Sequence, residues 1–298
     1  MSKLPIIDLS LFHTGDMTAK ESVVKQIYQA CHEIGFIYIA NYGISESLIQ
    51  QVFDYSKYLF GLLLEVKQNM AWSDEFSNQG YVGIERERLN PDNPGDLKEA
   101  FNFVGLDNLP TSLHLDAAIP SFYEACRELV NTIHQAFSLA LELEQDFFTT
   151  RHSQKNHTLR LLHYPPLQQT PKLGQIRAGE HSDYGSVTLL FQDNVGGLEV
   201  KNAAGKWIKA PRLGDTILVN TGDLMQRWTN DIFRSTKHRV VIPNEDNAKY
   251  SRYSVAFFSE PNEDTEIACL ESCQKNKSPI YSPITAREYL LNRLRATF

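Results

Sequence analysis

The chain has 298 residues, enough for one large domain or two closely packed ones, and 42% of them are hydrophobic, which allows a sizeable core. Its formal net charge is −7, from 29 basic and 36 acidic residues, so neither nucleic acid nor an anionic membrane surface is expected as a main partner. The N-terminus lacks a basic stretch followed by a long apolar run, and no apolar stretch is long enough to span a bilayer, so we expect no signal peptide and no membrane span.

The first sixty residues predict alternating strands and helices. Residues 6–8 and 36–40 are apolar runs typical of short strands. Between them, Thr18 and Glu21 have the spacing of a capping box, and apolar residues follow at helical intervals. Ser45 is expected to cap a second helix.

The remainder of the N-terminal half contains a long segment without a pattern. Residues 73–96 are rich in Asn, Asp, Gly, Pro and charge, so we predict a long functional loop or lid. Residues 98–104 predict a strand, and a second capping box at Ser121 and Glu124 predicts the start of a long helix. We expect an α/β N-terminal part over residues 1–150 and a catalytic domain over residues 151–298.

The C-terminal half predicts a β-sandwich or barrel. Its strand-like runs are short and separated by turn residues, without room for the helices that a parallel α/β sheet needs. A last helix is expected after Thr285. The predicted strands cover residues 159–164, 186–192, 198–201, 216–221, 238–242 and 253–258.

The four cysteines indicate a reduced protein. Cys31 and Cys126 fall on apolar stripes of predicted helices, where a free thiol packs as a small hydrophobic group. Cys269 and Cys273 form a lone C-x3-C pattern, whereas a zinc site needs two more nearby ligands. We therefore expect a cytoplasmic location.

Three residues point to a metal site. His181 and Asp183 lie two residues apart just before a predicted strand, so both side chains can face one ion. His238, at the start of a later strand, can supply a third ligand. Two histidines and one carboxylate on one face of an octahedron are typical of non-haem Fe(II) oxygenases. An H-x-D pattern alone is common in loops, and a lone histidine is more often a strand-end residue, so the prediction depends on its context.

The next strand supplies that context. Arg252 and Ser254 together can grip a carboxylate, because a guanidinium donates two parallel hydrogen bonds and a hydroxyl adds a third. Such a pair beside a metal suits the distal carboxylate of 2-oxoglutarate. The alternative is an ordinary surface arginine beside a serine of the sheet.

With these residues in place, the sequence resembles the isopenicillin N synthase-like Fe(II)/2-oxoglutarate-dependent dioxygenases along nearly its whole length. The resemblance implies a distorted double-stranded β-helix, or jelly roll, with an α/β N-terminal part. It implies Fe(II) bound by His181, Asp183 and His238, and 2-oxoglutarate held by Arg252, Ser254 and Tyr164. The matching stretches are residues 4–8, 35–36, 41–43, 80–81, 98–99, 179–185, 196–200, 220–223, 228–230, 235–240 and 252–254.

The sequence departs from the resembling family at two places. Many relatives carry Asn where this chain has Leu162, and residues 243–250 are expected to form an extended hairpin loop. In that family the segment near Glu85 and the residues flanking the first histidine approach the mouth of the active site. We therefore expect Glu85, Tyr184 and Arg177 to contact the substrate.

These observations together predict an enzyme that uses Fe(II), 2-oxoglutarate and O2, with ascorbate as the reductant in vitro. It would oxidise a small polar metabolite, by hydroxylation or alternatively by desaturation, ring closure or ethylene formation, and release succinate and CO2, without nucleic acid, membrane or an obligate protein partner. The alternatives are an oxidase of the same fold that does not use 2-oxoglutarate, a zinc hydrolase with the same three ligands, and a jelly-roll binding protein without catalysis.

Overall fold

The computed structural model describes residues 3–71, 78–89, 93–106, 109, 113–167, 169–243, 245–275 and 277–297. Within these ranges no helix combines the length and apolarity that crossing a bilayer requires. The helices are α1 (Ser10–Thr14), α2 (Met17–Glu33), α3 (Glu46–Gly61), α4 (Leu64–Gln68), α5 (Ala118–Ala140), α6 (Phe147–Thr150), α7 (Asp223–Trp228), α8 (Glu245–Ala248) and α9 (Ala286–Thr297).

The strands include all those predicted for the C-terminal half. They are β1 (Ile6–Asp8), β2 (Phe36–Ala40), β3 (Gly80–Val82), β4 (Glu99–Val104), β5 (Thr158–Tyr164), β6 (Ala178–His181), β7 (Val187–Gln192), β8 (Leu198–Lys201), β9 (Trp207–Lys209), β10 (Thr216–Thr221), β11 (His238–Val240), β12 (Arg252–Ser259), β13 (Glu266–Ile267) and β14 (Ile284–Thr285).

Two sheets form the core. The larger sheet has the order β1-β2-β10-β7-β12-β5-β4-β3, and the smaller has the order β6-β11-β8-β9. Apart from the parallel pair β1 and β2, neighbouring strands in both sheets are antiparallel. Buried apolar side chains from both sheets, such as Leu162 and Val200, pack in one cluster between them. The predicted fold class, a jelly roll with a flanking α/β part, is confirmed.

The larger sheet presents different residues to its two faces. On β12, Val255 and Phe257 pack with the buried side chains of helices α2, α3 and α5. Because side chains alternate along a strand, the residues between them face the smaller sheet. Strands β1 to β4 precede residue 150 and belong to this same sheet, so the boundary at residue 150 stays a prediction.

Both predicted capping boxes are wrong, although both helices exist. Asp16 caps α2, accepting a hydrogen bond of 2.8 Å from the Ala19 amide, so the helix begins before Thr18. Helix α5 begins at Ala118, and the Ser121 hydroxyl donates to the carbonyl of Ala117, the residue just before the helix. In both helices an earlier residue had already taken the cap position. The caps predicted at Ser45 and Thr285 are confirmed by hydrogen bonds from the Leu48 and Glu288 amides.

The segments predicted as loops contain short elements. Strand β3 pairs with β4 inside the predicted loop of residues 73–96, of which residues 73–77 and 90–92 lie outside the described residues. Helix α8 occupies part of residues 243–250, predicted as a hairpin loop. Elements of three or four residues are too short to show a periodic pattern.

Candidate functional site

Strand pairing in the smaller sheet brings the predicted metal ligands together. His181 is the last residue of β6 and lies directly opposite His238 on β11, with their ring centroids 4.2 Å apart. Asp183 follows in the turn before β7. Its Oδ1 lies 4.0 Å from Nε2 of His181 and 3.5 Å from Nε2 of His238. One ligand atom from each residue lies within 4.8 Å of the other two, which is the spacing of a site for one metal ion.

Backbone carbonyls orient both histidines for metal binding. Nδ1 of His181 lies 2.7 Å from the Gly179 carbonyl, and Nδ1 of His238 lies 3.1 Å from the Thr236 carbonyl. With a proton on each Nδ1 donating to that carbonyl, Nε2 of each ring is the atom directed towards Asp183 and available to a metal. Burial and the neighbouring His238 lower the pKa of His181 to about 3, so its ring is neutral, as a metal ligand must be.

Asp183 is fixed through its other oxygen. Oδ2 accepts hydrogen bonds from Thr188 Oγ1 (2.6 Å) and Asn220 Nδ2 (2.7 Å), leaving Oδ1 for a metal. Burial alone would raise the pKa of Asp183, but His238 holds it well below its usual value. Burial likewise opposes protonation of His238, yet the adjacent carboxylate raises its pKa. The proton that His238 shares with Asp183 marks the position of a positive charge. A divalent cation would take the place of this proton, so the donor set fits Fe(II).

The cluster lies in a cavity between the two sheets. Alternate residues of β5 and β12 form one wall of the cavity, and the register pairs Arg252 with Tyr164 and Phe258 with Thr158. These two pairs are roughly 20 Å apart, since a strand rises about 3.3 Å per residue. We call Arg252, Ser254 and Tyr164 the Arg252 end, and Thr158, Arg160, Phe258 and Glu260 the Glu260 end.

At the Arg252 end, a buried guanidinium is held by neutral groups. Arg252 is 1% exposed and donates to Ser254 Oγ at 3.1 Å and to Gln192 Oε1 at 3.0 Å. Its guanidinium lies 4.6 Å from the centre of the Tyr164 ring. Nε finds no hydrogen-bond partner in the described part of the chain. A buried cation without a counter-ion is suited to binding an anion such as a carboxylate.

At the Glu260 end, a buried carboxyl group faces the cavity. Burial, together with the nearby Asp183 carboxylate, raises the pKa of Glu260 to about 7. Gly185 makes room for this carboxyl group, because a Cβ at position 185 would lie 2.8 Å from Oε1 of Glu260. Any other residue at position 185 would displace the Glu260 side chain or the backbone.

An ion network also lies in the cavity wall, around Arg160. The Glu87 carboxylate accepts from Arg160 Nη2 at 2.6 Å and from Lys98 Nζ at 3.0 Å. Burial alone would raise the pKa of Glu87, but these two cations lower it to about 2. Lys98 also pairs with Asp96, so two cations meet two carboxylates and the network is neutral.

The structure brings one of the three predicted substrate contacts to the cavity. Tyr184 lines it. Glu85 does not, and its carboxylate pairs instead with Lys172 Nζ at 2.6 Å and Gln175 Nε2 at 2.9 Å. Arg177 is fully buried, donates to a backbone carbonyl at 3.1 Å, and is not among the cavity-lining residues.

Sequence reasoning missed the Glu260 end. Counting every second residue along β12 from Arg252 leads to Phe258 and Glu260, and counting back from Tyr164 along β5 leads to Arg160 and Thr158. The two-residue period of a strand is therefore the signal that could have identified these positions.

Comparison with known proteins agrees with the geometry. Residues 155–261 match the 2OG-Fe(II) oxygenase superfamily, and residues 4–121 match the family described as non-haem dioxygenase in morphine synthesis N-terminal. Proline hydroxylase buaE of Petromyces alliaceus is 34% identical, with 94% of each chain covered. The 2-oxoglutarate-Fe(II) type oxidoreductase ppzD of Metarhizium majus is 32% identical, covering 98% of this chain and 94% of its own.

Solved structures give the same result. A full-length Neurospora crassa protein in complex with alpha-KG, which is 2-oxoglutarate, superposes with a TM-score of 0.89 at 34% identity, covering 98% of this chain and 96% of its own. The same Neurospora protein has also been crystallised with alpha-KG and thymine, and that structure matches with a TM-score of 0.89 at 33% identity. The chain therefore belongs to the 2-oxoglutarate/Fe(II) oxygenase superfamily, in its isopenicillin N synthase-like branch, and is a 2-oxoglutarate-dependent dioxygenase that requires Fe(II).

Proposed function

We propose that His181, Asp183 and His238 hold the iron and that the Arg252 end holds the C5 carboxylate of 2-oxoglutarate. The observation that carries this assignment is that three converging ligand atoms and a buried arginine with an unpartnered Nε line one cavity. Bound iron supplies the activation of O2. The protein supplies orientation and a site shielded from water.

The overall reaction is the conversion of a substrate C–H bond, 2-oxoglutarate and O2 into an alcohol, succinate and CO2. One oxygen atom of O2 enters succinate and the other enters the alcohol, so atoms and electrons balance. Arg252 would fix the co-substrate by its distal carboxylate through a forked, charge-assisted contact, aided by the hydroxyl of Ser254. Tyr164 packs against this guanidinium and would keep it in place.

The substrate is proposed to be a small polar metabolite bound between the iron ligands and the Glu260 end. An apolar substrate would leave the Glu260 carboxyl group, which lines the cavity, without water or a partner, and burying a polar group in that state costs free energy. Tyr184 is the substrate contact that lies at the cavity. The four cysteines are free thiols, which suits the cytoplasm as the proposed location.

Succinate release by the purified protein with Fe(II), ascorbate, O2 and 2-oxoglutarate tests this assignment. We expect iron-dependent release, stimulated by a panel of small polar metabolites that includes L-proline and thymine. His181→Ala, Asp183→Ala and His238→Ala should each lower turnover at least about a thousandfold and reduce bound iron, since each removes one of three protein ligands. Near-normal iron content and turnover in any one variant would contradict the ligand assignment.

A further inference from the structure

The Glu260 carboxyl group has no partner of its own. The side chain is only 7% exposed and lines the cavity. Throughout the described part of the chain it makes no hydrogen bond or ion pair, and only its backbone amide is engaged, donating to Nδ1 of His157 at 3.1 Å. A buried carboxyl group without a partner is costly, and buried polar groups are normally paired.

Three other charged groups of the described cavity wall each have partners. Glu87 is bound by two cations, Asp183 accepts two hydrogen bonds through Oδ2, and Arg252 donates to two neutral side chains. Glu260 is also outside the group of ligand atoms that could hold the metal. Its place at the end of β12, beyond Phe258, faces the part of the cavity opposite the Arg252 end.

Burial and local charge indicate which kind of ligand group would pair with the Glu260 carboxyl group. The positive charge of Arg160 is compensated by Glu87, and no cation of the described cavity wall pairs with Glu260. A carboxylate only accepts hydrogen bonds, and an N–H donor, above all a cationic one, best compensates its burial.

We propose that Glu260 determines substrate specificity by accepting a hydrogen bond from an N–H group of a nitrogen-containing substrate, either an ammonium or a neutral ring or amide N–H. This inference rests on the proposed function, because it assigns the substrate class of the same cavity. Gly185 contributes to this binding site, because its lack of a side chain leaves room for the Glu260 carboxyl group.

The first test compares matched compounds on the iron-loaded full chain. L-Proline is paired with tetrahydrofuran-2-carboxylate, which has a ring oxygen in place of the N–H, and thymine is paired with 1,3-dimethylthymine. Substrate-stimulated succinate release gives kcat/KM for each compound. We expect at least one N–H compound to exceed its partner by roughly tenfold or more, the range of a lost charge-assisted hydrogen bond. Equal rates within both pairs, or no stimulation by either N–H compound, would overturn the proposal.

The second test uses variants of Glu260. Glu260→Gln should raise the KM of an ammonium substrate about tenfold or more, but that of a neutral N–H substrate only a few-fold, because the amide oxygen still accepts. Glu260→Ala should raise both by more than Gln does. The matched control is Glu263→Gln, a nearby carboxylate that is 53% exposed and pairs with Arg287, and it should leave both constants at wild-type values.

The KM for 2-oxoglutarate distinguishes a wrong role for Glu260 from a wrong assignment of the oxygenase activity. It should stay within twofold in the Glu260 variants, which shows that the fold and the Arg252 end are intact. An unchanged substrate KM in both variants would overturn the role of Glu260 while leaving the oxygenase assignment in place. If the wild type shows no iron-dependent consumption of 2-oxoglutarate, with or without substrate, the proposed function fails and this inference fails with it.

Discussion

The Arg252 end and the Glu260 end are built on the same two strands but balance charge in different ways. At the first, one buried cation is held by the neutral side chains of Ser254 and Gln192. At the second, Arg160 belongs to a neutral network of four charged groups, and the Glu260 carboxyl group has no hydrogen-bond or ion-pair partner among the described residues. A positively charged site suits the 2-oxoglutarate dianion, which every turnover requires, whereas a buried hydrogen-bond acceptor without a partner suits a different ligand.

This difference shows how one scaffold can keep its co-substrate and change its substrate. Residues at the Arg252 end are positioned by strand pairing in the middle of the larger sheet. At the Glu260 end, Glu260 itself follows the last residue of β12, and Glu87, which compensates Arg160, lies with Lys98 between β3 and β4. Loops and strand ends tolerate sequence change better than paired strands do, so specificity can vary there.

The largest expected effect is on stability and comes from a substitution that breaks the ion network at the Glu260 end. Glu87→Gln removes the carboxylate shared by Arg160 and Lys98, leaving two buried cations with one remaining carboxylate. We expect the free energy of unfolding to fall by about 3–5 kcal/mol, the usual cost of breaking a buried ion pair. Urea denaturation followed by circular dichroism measures this.

The control for that prediction is an exposed ion pair. Asp54→Asn breaks the pair with Lys57, in which both side chains are more than half exposed, and should cost less than about 1 kcal/mol. If Glu87→Gln is no more destabilising than Asp54→Asn, the network contributes little to stability, and the contrast between the two ends lies in binding alone.

The sequence predicted the Arg252 end and the proposed iron ligands better than the Glu260 end. His181, Asp183 and Arg252 belong to motifs whose order along the chain carries information. That His238 lies opposite His181, however, depends on pairing between β6 and β11. Counting every second residue along β12 from Arg252 would have led to Glu260, but the sequence does not reveal whether a strand continues without a bulge. The charged loop around Glu85 has no period, so its pairing with Lys172 could not be predicted.

A smaller effect is expected at the Arg252 end. Arg252→Lys replaces a fork with a point charge and should raise the KM for 2-oxoglutarate roughly ten- to a hundredfold, corresponding to about 1.5–3 kcal/mol. Ser254→Ala should cost about 1 kcal/mol, as it removes one neutral hydrogen-bond partner. Steady-state succinate release at varied 2-oxoglutarate measures both.

The substrate KM of Arg252→Lys tests whether the two ends of the cavity bind their ligands independently. It should change less than threefold in Arg252→Lys, because the Glu260 end is untouched. An unchanged 2-oxoglutarate KM would mean that Arg252 has another role, and equal changes in both constants would mean that the two ends act as one site.

The smallest effect concerns three buried histidines behind the Glu260 end. His157 accepts the amide hydrogen of Glu260, and His152 lies with its ring centroid 4.0 Å from that of His134. Burial lowers the pKa of His152 to about 4 and that of His157 to about 3, and holds that of His134 well below 6.5. All three rings are therefore neutral in the folded protein at neutral pH, whereas the unfolded chain takes up protons below about pH 6.5.

Folding stability should accordingly fall as the pH decreases from 6.5 towards 4. The unfolded state then binds protons that the folded state excludes, at a cost of about 1 kcal/mol per histidine between pH 6.5 and 5.5, above the range where most carboxylates titrate. His152→Gln should remove the contribution of one histidine. Over that pH interval, the free energy of unfolding measured by urea denaturation should therefore fall by about 1 kcal/mol more in the wild type than in this variant. His13→Gln, at an exposed histidine, controls for the substitution itself. Equal losses in the wild type and His152→Gln would mean that water reaches His152, and that the Glu260 end is less dry than its burial indicates.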